Sequence, residues 1–107
     1  MKYLKEHPDF NAPDDFDFLQ LAKLGFEDIS WRNDSFPFFG NYSTGYKVGV
    51  DYPQEQSDFP SLPERYHLFK SEGQEWKKHH CLHDESEHIF STNSFEEILT
   101  KIQTTKT

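Results

Sequence analysis

The chain has 107 residues, the length of one domain rather than two. Its hydrophobic fraction is low at 34%, but its aromatic fraction is high at 17%, which argues against disorder because a few rings bury as much surface as many aliphatics. Net charge is −8, from 19 acids against 11 bases, and the longest basic cluster is Lys77-Lys78, so the sequence offers no basic patch for nucleic acid or for an anionic membrane.

Residues 1–13, with Pro8 and Pro13, show little periodicity and read as a loose lead-in to a single domain over 14–103. "DDFDFLQLAKLGF" then reads as a helix. Asp14 or Asp15 is placed to cap it, and the acids suit the positive end of its dipole. Phe18, Leu19, Leu21, Ala22 and Phe26 give the apolar face, and Gly25 is placed as the left-handed stop. Ile29 and Trp31 alternate with Asp28, Ser30 and Arg32, the period of a strand. In "SFPFFGNYSTG", Pro37 cannot donate to a ladder, so an edge, bulge or loop is expected.

"YKVGVDY" is the clearest strand, with Tyr46, Val48, Val50 and Tyr52 on one face and Lys47, Gly49 and Asp51 on the other. Residues 53–63 hold three prolines and read as a loop. "RYHLFK" is a short strand, "EWKKHHCL" its returning partner across the "SEGQ" turn, and "HIFST" a last strand. Ser94 with Glu97 matches a capping box ahead of the helical stripe Phe95, Ile98, Leu99 and Ile102, and residues 104–107 fray. Helix, strands and helix in that order imply an α+β fold. Its antiparallel sheet has four or five strands, and an N-terminal and a C-terminal helix pack on one face.

No run of about 18 apolar residues suggests a membrane span, and the N-terminus shows no apolar core of a signal peptide. Cys81 is the sole cysteine, so no internal disulfide forms and a reducing, cytoplasmic setting is expected.

Four of the six histidines lie in "HHCLHDESEH" with Cys81. On a strand His79, Cys81 and His83 share one face, and on a helix His79 and His83 fall at i and i+4, so these three are the candidate metal ligands, zinc being the ion such donors suit. Three alternate strand positions span about 13 Å and strain to meet one ion, and neither H-E-x-x-H nor C-x-x-C occurs. The segment is therefore read first as a polar hairpin end, with no cofactor expected, and the alternative is a metal-binding or metal-dependent protein that uses the 79–88 cluster, His80 and His88 included.

The preferred reading is non-enzymatic: a small acidic protein that binds and blocks a basic partner, as inhibitors, immunity proteins and anti-defence proteins do. The acids Asp14, Asp15, Asp17, Glu55 and Asp58 would steer the encounter. Phe36, Phe38, Phe39 and Tyr42 would supply aromatic anchors, against the competing reading that these rings face the core. Mimicry of a nucleic acid is a stricter form of this reading and requires the acids to segregate.

Overall fold

A computed structural model of the chain describes residues 2–57, 63–71 and 86–104. The elements run α1 (Lys2–Glu6), α2 (Phe18–Lys23), β1 (Glu27–Asp28), β2 (Phe38–Gly40), β3 (Tyr46–Val50), a 3-10 turn (Gln54–Gln56), β4 (Tyr66–Ser71), β5 (Ser86–Thr92) and α3 (Phe95–Thr104). The strands form one antiparallel sheet in the order β1-β2-β3-β4-β5, so each strand lies beside its neighbours in sequence. The expected α+β architecture, with helices gathered on one face of an antiparallel sheet, is the one observed. The expected strand and turns over 72–85 lie outside the described residues. Among the described residues no helix is long and apolar enough to cross a membrane.

The alternation in β3 divides the sheet. Val48 and Val50 point to a core shared with Phe39, Tyr66 and Leu68, onto which Leu21 and Phe26 pack from α2 and Phe95, Ile98 and Ile102 from α3. The lead-in is less loose than its prolines suggest. It forms α1, buries Phe10, and sets Tyr3 edge-on to Phe10, Phe16 and Phe39. Ring packing of this kind adds about 0.5–1.5 kcal/mol per pair beyond area burial and makes up for scarce aliphatics.

Helix α2 is shorter than its pattern implies, six residues rather than a helix opening at Asp14. Asp17 is the cap: it is extended, and its carboxylate accepts the Leu19 N–H at 3.1 Å. The sequence placed the cap at Asp14 or Asp15, but those residues lie in a turn that precedes it. With fewer than two helical turns, only Phe18, Leu21 and Leu24 reach inward, so Leu19 is 67% exposed and Ala22 faces solvent. The stop occurs as expected. Gly25 has φ +92°, its N–H bonds to the Ala22 carbonyl, and Phe26 N–H reaches back to Leu21.

Strand β1 is two residues long instead of the five suggested by alternation. Side chains take over where the ladder stops. Asp28 accepts the N–H groups of Tyr3 and Ser30, and the Ser30 hydroxyl bonds both the N–H and the carbonyl of Phe38. Phe38–Gly40 is a true strand between β1 and β3, despite Pro37. The proline sits one residue ahead of the ladder, where its missing N–H removes nothing and its carbonyl accepts from Val50.

At the C-terminal helix, Glu97 N–H bonds the Ser94 hydroxyl at 3.2 Å, half of the expected box. The other half is relayed: Thr92 Oγ1 donates to Glu97 Oε2 at 2.6 Å and accepts from Ser94 N–H.

Candidate functional site

The face of the sheet opposite the helices carries the chemistry. Residues alternating out of the core put Lys47, Gly49 and Asp51 of the β3 segment there, with Phe38 from β2 and His67 and Phe69 from β4. Phe36 folds over this face onto Gly49. A Cβ at Gly49 would lie 2.3 Å from Phe36 Cε1, so the ring's seat exists because position 49 lacks a side chain.

Strand β5 joins through an irregularity. His67 pairs with Ser91 and Leu68 with Phe90, but Phe69 pairs with His88, so Ile89 is the extra residue of a bulge. The bulge brings His88 and Ser91, three residues apart, to the same face. Ser91 Oγ then lies 2.8 Å from His67 Nδ1 and 2.7 Å from His88 Nε2.

Phe36, Phe38, Phe69 and His67, with Asn33, Asp34 and Ser35, line a pocket of about 310 Å³. Phe36 stacks on His67 at 5.9 Å between ring centres and leans on Phe38 at 5.0 Å. Lys47, only 6% exposed, holds its ammonium 4.6 Å from the Phe38 ring centre and 5.8 Å from that of Phe69. His67 is 1% exposed, and its Nε2 makes no hydrogen bond of good geometry among the described residues. Burial, helped by neighbouring His88, holds its pKa below the ordinary histidine value. Asp51 and the backbone and side chain of Glu64 pull weakly the other way. A neutral imidazole therefore sits beside an aromatic pocket, with a hydroxyl linking it to an exposed second imidazole.

A second feature is the end of the sheet where β3 leaves and β4 enters. Asp15 spans it. Its Oδ1 accepts the Tyr66 hydroxyl at 2.6 Å, and its Oδ2 accepts Phe95 N–H at 2.8 Å. Burial and then this hydrogen bond push the Tyr66 hydroxyl far above its ordinary pKa. Asp9 accepts the Tyr52 hydroxyl at 2.9 Å, Asp51 is buried and accepts from Ser57, and Asp14, Glu55, Glu96 and Glu97 are exposed. Arg65 stands at this end too, but its Nε and Nη2 donate to the backbone carbonyls of Asp51 and Asn11. Lys23, Lys47 and Lys70 lie toward the other end, where β3 begins and β4 finishes and where Asn41 ties to the end of α2. Exposed Glu27 lies in register with Lys47 through Gly40, and exposed Glu87 opposite Lys70, so among the described residues that end is mixed in charge while the β3-to-β4 end is predominantly acidic.

The candidates named from sequence are dispersed by this arrangement. Phe36 and Phe38 meet at the pocket. Their neighbour Phe39 points the other way, is fully enclosed in the core, and offers no surface to a partner, because adjacent strand residues face opposite sides. Tyr42 is half-buried against Ile29, and Trp31 is 46% exposed. Asp15 and Asp17 remain at the surface while bonding backbone N–H groups. Asp58, His79, Cys81 and His83 lie outside the described residues. Among the described residues no group of three His, Cys, Asp or Glu side chains converges as a metal site. Sequence reading took His88 only as part of the 79–88 cluster and passed over His67 and Ser91. Alternation in "RYHLFK" pairs His67 with Phe69 on one face and was the available signal for that side, but nothing local announces the bulge at Ile89.

Comparison of the chain with protein-family models, curated proteins and solved structures gave no match.

Proposed function

We propose that the protein is a small non-enzymatic binding module whose acidic end docks onto a basic protein and blocks it. The observation that carries this reading is a cluster of acids at one end of the sheet: Asp9, Asp14, Asp15, Asp17, Glu55 and Glu96 gather around the β3-to-β4 end, while toward the other Lys23, Lys47 and Lys70 are offset by Glu27 and Glu87. Clustered charge of one sign steers an oppositely charged partner and fixes its orientation, which a net charge of −8 spread evenly would not do. The carboxylates of Asp15 and Asp17 are held in place by backbone N–H groups, so part of the surface is ordered before a partner arrives.

The test uses an immobilised arginine-rich peptide and two double variants with the same change in net charge. Asp14→Lys/Glu96→Lys alters the acidic end. Glu27→Lys/Glu87→Lys alters exposed acids elsewhere on the sheet. At about 0.05 M salt the first pair is expected to weaken binding by about tenfold or more, the second by about twofold or less, and binding by the wild type falls steeply toward about 0.3 M. Equal losses from both pairs would mean that net charge, and not the acidic end, governs binding.

A further inference from the structure

The Ser91 hydroxyl and the two imidazoles bring three ligating atoms together on the face of the sheet opposite the helices. His67 Nδ1 and His88 Nε2 are 3.4 Å apart, beyond a well-formed nitrogen–nitrogen hydrogen bond. Their ring centres are 5.5 Å apart, about 2 Å more than the nitrogens, so the two nitrogens face one another across the gap. Zinc–nitrogen bonds of about 2.0–2.1 Å meeting at a tetrahedral angle place two imidazole nitrogens about 3.3–3.4 Å apart. The observed spacing is that edge.

From this geometry we infer that His67 Nδ1 and His88 Nε2 form a binding site for a divalent ion of the zinc class, with Ser91 Oγ as a third, weaker oxygen donor. The three atoms, at 3.4, 2.8 and 2.7 Å from one another, leave a point about 2.0–2.1 Å from all of them; there the angle between the nitrogens is about tetrahedral, while the two edges to Ser91 Oγ are of hydrogen-bond length, so the hydroxyl moves outward when an ion binds. Neutral imidazoles are the form that binds metal, and the burial of His67 favours that form. Exposed His88 provides the entry path from solvent. The charged neighbours on this face are of both signs: Lys47, held over Phe38 and Phe69, opposes a cation, and Asp51, whose field reaches His67, favours it. Two nitrogens and a hydroxyl make a moderate site, and the remaining positions on the ion are left to water. The site is separate from the acidic end and does not depend on it. It shares His88 with the 79–88 cluster that the sequence suggested but uses none of His79, Cys81 and His83.

The experiment titrates zinc chloride into the full chain, purified without a histidine tag. Imidazole nitrogen signals are followed by NMR and the melting temperature is recorded. The wild type is expected to shift the His67 and His88 signals together, saturating at one equivalent, and to melt several degrees higher with zinc. His88→Ala, a change at an exposed position, is expected to lower affinity for that equivalent at least about tenfold, and Ser91→Ala less. His67→Gln is included with its zinc-free melt, so that a folding defect is recognised. Magnesium, which takes oxygen ligands, is expected to leave the His67 and His88 signals unmoved. If zinc shifts only histidines of the 79–83 segment, or if His88→Ala binds as tightly as wild type, the site is refuted. The cluster would then be a hydrogen-bonded chain and nothing more.

Discussion

Gly49→Ala tests the packing on which the pocket depends. The new methyl would meet Phe36 Cε1 at 2.3 Å, Phe38 Cε1 at 3.0 Å and Phe36 Cδ1 at 3.2 Å. Phe36 cannot simply retreat, because its ring is stacked on His67 and leans on Phe38. Overpacking of this kind costs about 1–3 kcal/mol, and the contacts on two rings place it in the upper half of that range. Alanine recovers about 0.5–1 kcal/mol of the backbone entropy that glycine loses in a strand. The net expectation is a loss of about 1–2.5 kcal/mol, or a fall in Tm of roughly 5–15 °C for a domain of this size. Urea unfolding of Gly49→Ala, Phe36→Ala and the double variant measures it. With the ring removed, alanine at 49 has room, so the double variant should be less destabilised than the sum by about 1–2 kcal/mol. The reasoning is refuted if Gly49→Ala is neutral or stabilising, or if its cost is undiminished when Phe36 is absent.

Asp15→Ala should destabilise by about 2–4 kcal/mol, since it strands the buried Tyr66 hydroxyl and removes an acceptor from the first turn of α3. In a Tyr66→Phe background most of that loss should disappear, which denaturant titration checks. For His67 the folded pKa lies below its unfolded value of about 6.5, so the unfolded chain takes up the proton first. The stability this residue confers is therefore complete above about pH 6.5 and is lost as pH falls through the lowered folded value. Melting curves from pH 8 down to about pH 5 should show the fall, and His67→Gln should flatten it. A slope unchanged by that substitution would assign the titration elsewhere.

The parts of the fold that were readable are those whose cause is local. Gly25 and Phe26 end α2 because a left-handed residue and the two bonds around it need only their own turn. The alternation in β3 survives because both faces of that strand are packed. The start of α2 was misplaced because three aspartates compete for one cap, and the winner depends on Tyr66 and Phe95. Those residues, 51 and 80 positions away, claim Asp15. Period two predicts that Phe38 and Phe39 part company, but which one enters the core is set by the sheet's pairing. Likewise His67 and His88 are 21 residues apart, and they meet because the ladder absorbs Ile89 as a bulge instead of pairing it.

That inserted residue also matters for what happens beyond the molecule. β5 ends the described sheet, and an outer strand offers its unpaired backbone groups as a template for another chain. At Ile89 the spacing of those groups changes, and Glu87 and His88 project beside it, so an incoming strand in regular register loses its match within a few residues. Among the described strands, the bulge that assembles the histidine cluster thereby also breaks the regular register that self-addition would need. Deleting Ile89 would keep His88 beside Ser91 in a regular ladder and remove the kink, leaving a straight edge at the last of the described strands.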